Sequence, residues 1–174
     1  LVRTEAWRTA GGLDEDFFAH MEEIDLCWRL QNRGLMVGVT PEAHVYHLGG
    51  GTLQQESPNK AFLNFRNNLY LLLKNDHRPG IRGRILFRRL LDGLAGLRFL
   101  MEGKPAFFKA VIRAHGEFRK NRTRMVGKRR LEKQSCSSPR PVGQLPGHYA
   151  GSVVWDFFVR GRKRFSALDQ NRIS

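Results

Sequence analysis

The sequence predicts an α/β unit over residues 1–76, continued by basic amphipathic helices. Three observations point there. Helix-period and short extended runs alternate in the first part of the chain. The charge changes sign at the same boundary: residues 1–76 carry 7 Lys+Arg against 10 Asp+Glu, and the remaining residues carry 23 against 6. Beyond that boundary, Leu and Phe recur at helical spacing with Arg and Lys on the other positions.

Leu1–Val2 reads as the tail of a strand and Thr4–Thr9 as a short helix ended by Gly11-Gly12. Glu22–Arg33 is a helix: Ile24, Cys27, Trp28 and Gln31 follow the 3.6-residue period, Asp25 and Arg29 form an i,i+4 pair, and Gly34 supplies the stop. Leu35–Val39 and Ala43–Leu48 are expected as strands separated by Thr40-Pro41. A loop at Gly49–Ser57 leads to a helix at about Asn59–Asn75, with Phe62, Phe65, Leu69, Leu72 and Leu73 on its apolar face.

The region 77–120 reads as two basic helices. Leu86, Phe87, Leu90, Leu91, Leu94 and Leu97 share one face from Ile81 to Leu100, with Arg82, Arg84, Arg88 and Arg89 off it. Pro105 suits a helix first turn, and Phe107, Phe108, Val111, Ile112 and Phe118 repeat behind it. Residues 121–150 show almost no apolar periodicity and are expected to be a flexible linker; a short helix at Ser152–Arg160 opens the tail 151–174.

The two cysteines, Cys27 and Cys136, lie in contexts that do not suggest a disulfide, which fits a reducing cytoplasm. No apolar run reaches the roughly 18–20 residues of a spanning helix. The opening LVRTEAW is not a signal peptide and reads as the middle of a domain.

The chemistry concentrates in GGLDEDFFAHMEEIDLCWRLQNR, Gly11 to Arg33. Acids in a first helical turn are favoured by the helix dipole, which by itself explains Glu22, Glu23 and Asp25. The preceding turn and aromatic pair, Asp14–Phe18, add a reason to fix that helix start in place. A carboxylate so placed suits a general base that takes a proton from an alcohol.

This segment resembles the C-terminal half of the catalytic domain of family 2 inverting glycosyltransferases, of the bacterial rhamnosyltransferase-like kind. There a GG-[FL]-D-E-x-F-F segment precedes an acidic pair and a D-L-x-x-R helix. The resemblance implies a partial GT-A (Rossmann-like) α/β fold over 1–76 that lacks its nucleotide-binding half, since the family's Asp-x-Asp after a hydrophobic strand has no counterpart; Asp14-Glu15-Asp16 matches the turn instead. It implies Glu23 as the base, a Glu where the family usually has Asp. Asp25 and Arg29 become structural partners. Asp16, Glu22 and the glycines Gly49, Gly50 and Gly51 are expected to shape the acceptor pocket.

By the same resemblance His47, in VYHLGGGT, would help hold a divalent metal (Mn²⁺ or Mg²⁺) at the sugar-nucleotide diphosphate, with His44 a weaker candidate. Arg66, in an Arg-Asn segment, would contact that diphosphate. The implied partners are a nucleotide-sugar donor, a glycan or lipid-linked acceptor in cell-surface polysaccharide or glycolipid synthesis, and an anionic membrane. The implied place is the inner face of the cytoplasmic membrane, as a peripheral protein. The net charge of +14 also raises a different class, a basic nucleic-acid-binding or membrane-surface protein without catalysis. Arginines interleaved with Leu/Phe stripes, and no recognised nucleic-acid motif, favour the membrane over nucleic acid.

Overall fold

A computed structural model describes residues 1–44, 46, 57–136 and 149–173. Six α-helices appear among these residues: α1 (Thr4–Ala10), α2 (Glu22–Asn32), α3 (Pro58–Asn75), α4 (Ile81–Met101), α5 (Pro105–Ser135) and α6 (Val153–Phe158). A short 3-10 turn, Glu15–Phe17, stands before α2. The only β pairing among the described residues is an isolated antiparallel bridge, Tyr149 with Ile173.

The α/β expectation is therefore corrected: the described chain is helical, with no sheet and no partial GT-A (Rossmann-like) unit. Leu1–Val2 and Leu35–Val39 form no strands. An extended segment becomes a strand only when a neighbouring edge satisfies its amides and carbonyls. Residues 35–44 have no such edge and lie exposed, Val39 at 92%. Of the second expected strand, Ala43, His44 and Tyr46 are not in a ladder; the rest lies outside the described residues.

The centre is α3. Ser57 caps it by accepting from the Lys60 amide at 3.1 Å, and Pro58 opens its first turn. Its buried residues run nearly all round the helix, as expected for a central element. Leu69 and Tyr70 are fully buried with Phe17, Phe118 and Met125, each worth about 1.5–3 kcal/mol of transfer free energy. Phe17 meets Tyr70 edge to face with ring centroids 6.2 Å apart.

The helix α5 packs along α3 through Ala110, Ala114, Phe118 and Met125. It runs unbroken through Asn121 to Ser135, where a linker was expected. The residues that hold this second half are mostly polar. Arg129 donates to the carbonyls of Leu73 (2.9 Å) and Asp76 (2.6 Å), and Arg33 pairs with Glu132 at 2.9 Å.

The face that α4 presents to the bundle is the small and polar one. Gly96 lets Phe108 approach; a Cβ there would meet the ring at 3.2 Å. Buried Asp92 takes Arg88 Nε at 2.8 Å and His115 Nε2 at 3.1 Å, tying α4 to α5. Arg84 pairs with buried Asp76 at 2.7 Å. The Leu/Phe stripe of α4 consequently points away from α5.

Candidate functional site

The segment Gly11–Arg33 folds as one unit around a buried ion cluster. Gly11 ends α1 in the left-handed region (φ 78°), and Gly12 follows with φ 68° against the Trp7 indole. That sharp turn exposes the carbonyls of Ala10 and Gly12, and the Arg29 guanidinium donates to both, the second at 2.7 Å. Arg29 Nε also donates to Asp25 at 2.8 Å, so the pair is structural, as its spacing predicts.

Asp25 is fully buried and further accepts from Lys74 Nζ (2.8 Å) and Asn75 Nδ2 (2.7 Å). Lys74 reaches Asp14 at 2.6 Å and sits over the Phe17 ring. Such a cluster is tolerated only because every charge has a partner at hydrogen-bond distance. Burial works to raise the Asp14 carboxyl, but Lys128 and Lys74 outweigh it and hold the group at about 2.

Between this cluster and α2 the backbone is strained. Phe18 (φ 63°), His20 (φ 67°) and Met21 (φ 72°) all take positive φ without being glycine. Each costs on the order of 1–3 kcal/mol, so something must hold the loop. Asn67 does: its buried Nδ2 lies 2.9 Å from the Phe17 carbonyl, 2.9 Å from that of Ala19 and 2.7 Å from that of His20. Arg66 assists, donating to the carbonyls of Asp16 (3.1 Å) and Phe17 (3.0 Å). Its guanidinium packs over Phe62 and Tyr70, and burial lowers its pKa.

The loop delivers Met21 as the N-cap of α2, with Glu22 and Glu23 next. Glu23 is exposed. Glu22 is half-buried, and its Oε2 is shielded from solvent without a hydrogen-bond partner among the described residues; so is His20 Nε2. Shielded polar atoms of this kind call for a partner, and both stand beside the strained loop. A cavity of about 480 Å³ begins at Met21. Asn64, Asn68 and Lys60 supply donors to it, and Phe65, Phe99 and Phe107 supply aromatic walls.

The sequence-predicted residues divide as follows. Glu22 and Glu23 follow Met21 in the first turn of α2; of this segment only Met21 lines the cavity. Asp16 belongs to the loop, but its carboxylate is taken by Arg124 (2.9 Å) and Lys128 (2.6 Å) from α5. Arg66 lies against the loop and donates to the carbonyls of Asp16 and Phe17. His47, Gly49, Gly50 and Gly51 lie outside the described residues. Asn67 was not singled out from sequence. Its signal is an amide on the buried face of α3, between Leu63 and Tyr70–Leu71.

A divalent cation does not fit the described residues. Asp14 and Asp16 are already matched by lysine and arginine, and no group of three His, Cys, Asp or Glu is assembled among these residues. No helix among the described residues is long and apolar enough to cross a membrane. Comparison with protein-family models, with curated proteins and with solved structures returned no match.

Proposed function

We propose that this chain supplies the acceptor side of an inverting sugar transfer, as a C-terminal portion of a family 2 glycosyltransferase. One observation supports this most: the strained loop Phe18–Met21, held from α3 by Asn67 and Arg66, leads directly into Glu22 and Glu23 at the first turn of α2. A merely structural helix start does not require three non-glycine residues of positive φ at its entry.

In this proposal Glu23 accepts the proton of an acceptor hydroxyl. The freed oxygen attacks the anomeric carbon, and the bond pair of the breaking C–O bond leaves on the nucleotide diphosphate. The cavity beside Met21 receives the acceptor sugar: amides of Asn64 and Asn68 suit hydroxyls, and aromatic rings suit the apolar face of a pyranose. Glu22 completes a hydrogen bond to the same ligand. A divalent ion on the diphosphate, with His47 among its ligands, remains part of the proposal through the resemblance alone; no step above runs through it.

The donor would be bound by a nucleotide-sugar region outside these residues, and the acceptor would be a glycan or lipid-linked sugar presented at the inner face of a bacterial cytoplasmic membrane. The test is transfer from nucleotide-sugars by a protein carrying both regions, with the anomeric configuration of the product read by NMR. The proposal expects inversion, and a raised acceptor KM in Asn68→Ala with the donor KM unchanged. Retention of configuration, or unaltered acceptor kinetics in that variant, contradicts it.

A further inference from the structure

The outward face of α4 carries Leu86, Phe87, Leu90, Leu94, Leu97 and Met101, each more than half exposed. Leu86, Leu90, Leu94, Leu97 and Met101 follow at steps of four and three residues, so they make one continuous stripe along the helix. A stripe of this length exceeds the scattered apolar surface of an ordinary monomer.

At the N-terminal end the stripe runs into a groove of about 550 Å³ between α4 and α5. Its floor is apolar, including Ile85, Phe118 and Val126. Its rim carries Arg82, Arg89, Arg119 and Arg122, all exposed, and no carboxylate lines it. The neighbouring arginines of α4 differ: Arg84 and Arg88 turn inward to Asp76 and Asp92. Among the described residues no acid pairs with the four rim arginines, so their positive field is not spent within the protein.

We infer that the outward face of α4 docks on an anionic phospholipid surface, the arginine-rimmed groove taking a lipid phosphate and the Leu/Phe stripe lying in the acyl boundary. An apolar floor beneath unpaired guanidinium groups matches an amphiphile with a phosphate head. A second copy of the chain fits poorly, because pairing the stripes would bring two sets of arginines together. The same design recurs in α6, where exposed Val154, Trp155 and Phe158 precede exposed Lys163 and Arg164. The inference rests on α4 and α5 and is independent of sugar transfer.

The test is flotation of the 174-residue chain with phosphatidylglycerol-rich vesicles and with phosphatidylcholine vesicles. Wild type should float with the first and not the second, and rising salt should release it. Arg89→Gln with Arg122→Gln should weaken binding on the order of tenfold or more, at about 1 kcal/mol per basic residue near the surface. Arg3→Gln with Arg8→Gln, an equal loss of charge on α1, should change it much less. Leu90→Glu with Leu94→Glu, at exposed positions, should abolish flotation while far-UV circular dichroism is unchanged. Equal flotation of all variants, or equal loss in the α1 control and the groove pair, overturns the inference. So does a wild type that fails to float and instead dimerises through the stripe or shifts a DNA probe.

Discussion

Asn67 Nδ2, in the middle of α3, lies 2.7 Å from the carbonyl oxygen of His20. Through that contact a residue far away in sequence holds the backbone immediately before Met21, Glu22 and Glu23. The two N–H groups of the same amide are shared with the carbonyls of Phe17 and Ala19, and Arg66 also donates to that of Phe17.

Asn67→Ala should therefore lower stability by about 1–3 kcal/mol, the cost of leaving buried carbonyls unsatisfied. Asn67→Asp should be at least as damaging, because a carboxylate cannot donate to carbonyls. Urea unfolding of the three proteins checks this. A change of only a few tenths would show that the loop holds its shape without α3.

The Asp14 carboxyl gives the fold an acid limit. Against burial, Lys128 and Lys74 hold its folded pKa at about 2, below the ordinary carboxylate range. A lowered carboxylate pKa contributes stability that is present above the unfolded value and is lost as pH falls through the folded one. Stability should thus decline between about pH 4 and pH 2, by roughly 2 kcal/mol from this group. Asp14→Asn should flatten that part of the profile and leave Lys74 and Lys128 with one fewer carboxylate partner. An unchanged acid slope in the variant would assign it to other carboxylates.

Gly11 and Gly12 both take positive φ, but only Gly12 meets a neighbour where a Cβ would sit, 3.2 Å from the Trp7 ring. Gly11→Ala should cost on the order of 1 kcal/mol from backbone conformation alone. Gly12→Ala should cost more, since the indole or the Arg29-bound carbonyl must also shift. Thermal unfolding of the pair checks the order; the reverse order contradicts the role given to Trp7.

Much of the helical framework was legible in the sequence. The run from Phe62 to Leu73 marks α3, Pro105 marks the start of α5, and the Asp25–Arg29 spacing predicts a pair that the structure contains. The orientation of α4 was not legible. Its periodicity identifies a stripe, but burial went to Gly96 and Asp92, which meet Phe108 and His115 of α5. The second half of α5 was hidden for a similar reason: it is held by Lys128 on Asp14 and by Arg129 on the end of α3, and such contacts leave no apolar period. The strands were expected from local propensity alone, which cannot supply the partner edge that residues 35–44 lack. Even α2 turned from its expected face, exposing Ile24 and burying Leu26 and Leu30.

The placement of Glu23 is the central claim, and one measurement tests it most directly. In a protein that also carries the nucleotide-sugar-binding region, kcat for sugar transfer is compared between wild type, Glu23→Gln and Glu22→Gln. Glu23 is exposed at the start of α2, so its substitution should leave folding and donor binding intact. Loss of a general base should then reduce kcat by about 10²–10⁴-fold in Glu23→Gln. Glu22→Gln should mainly raise the acceptor KM. Full transfer by Glu23→Gln, or a greater loss of kcat in Glu22→Gln, would contradict the assignment of the base.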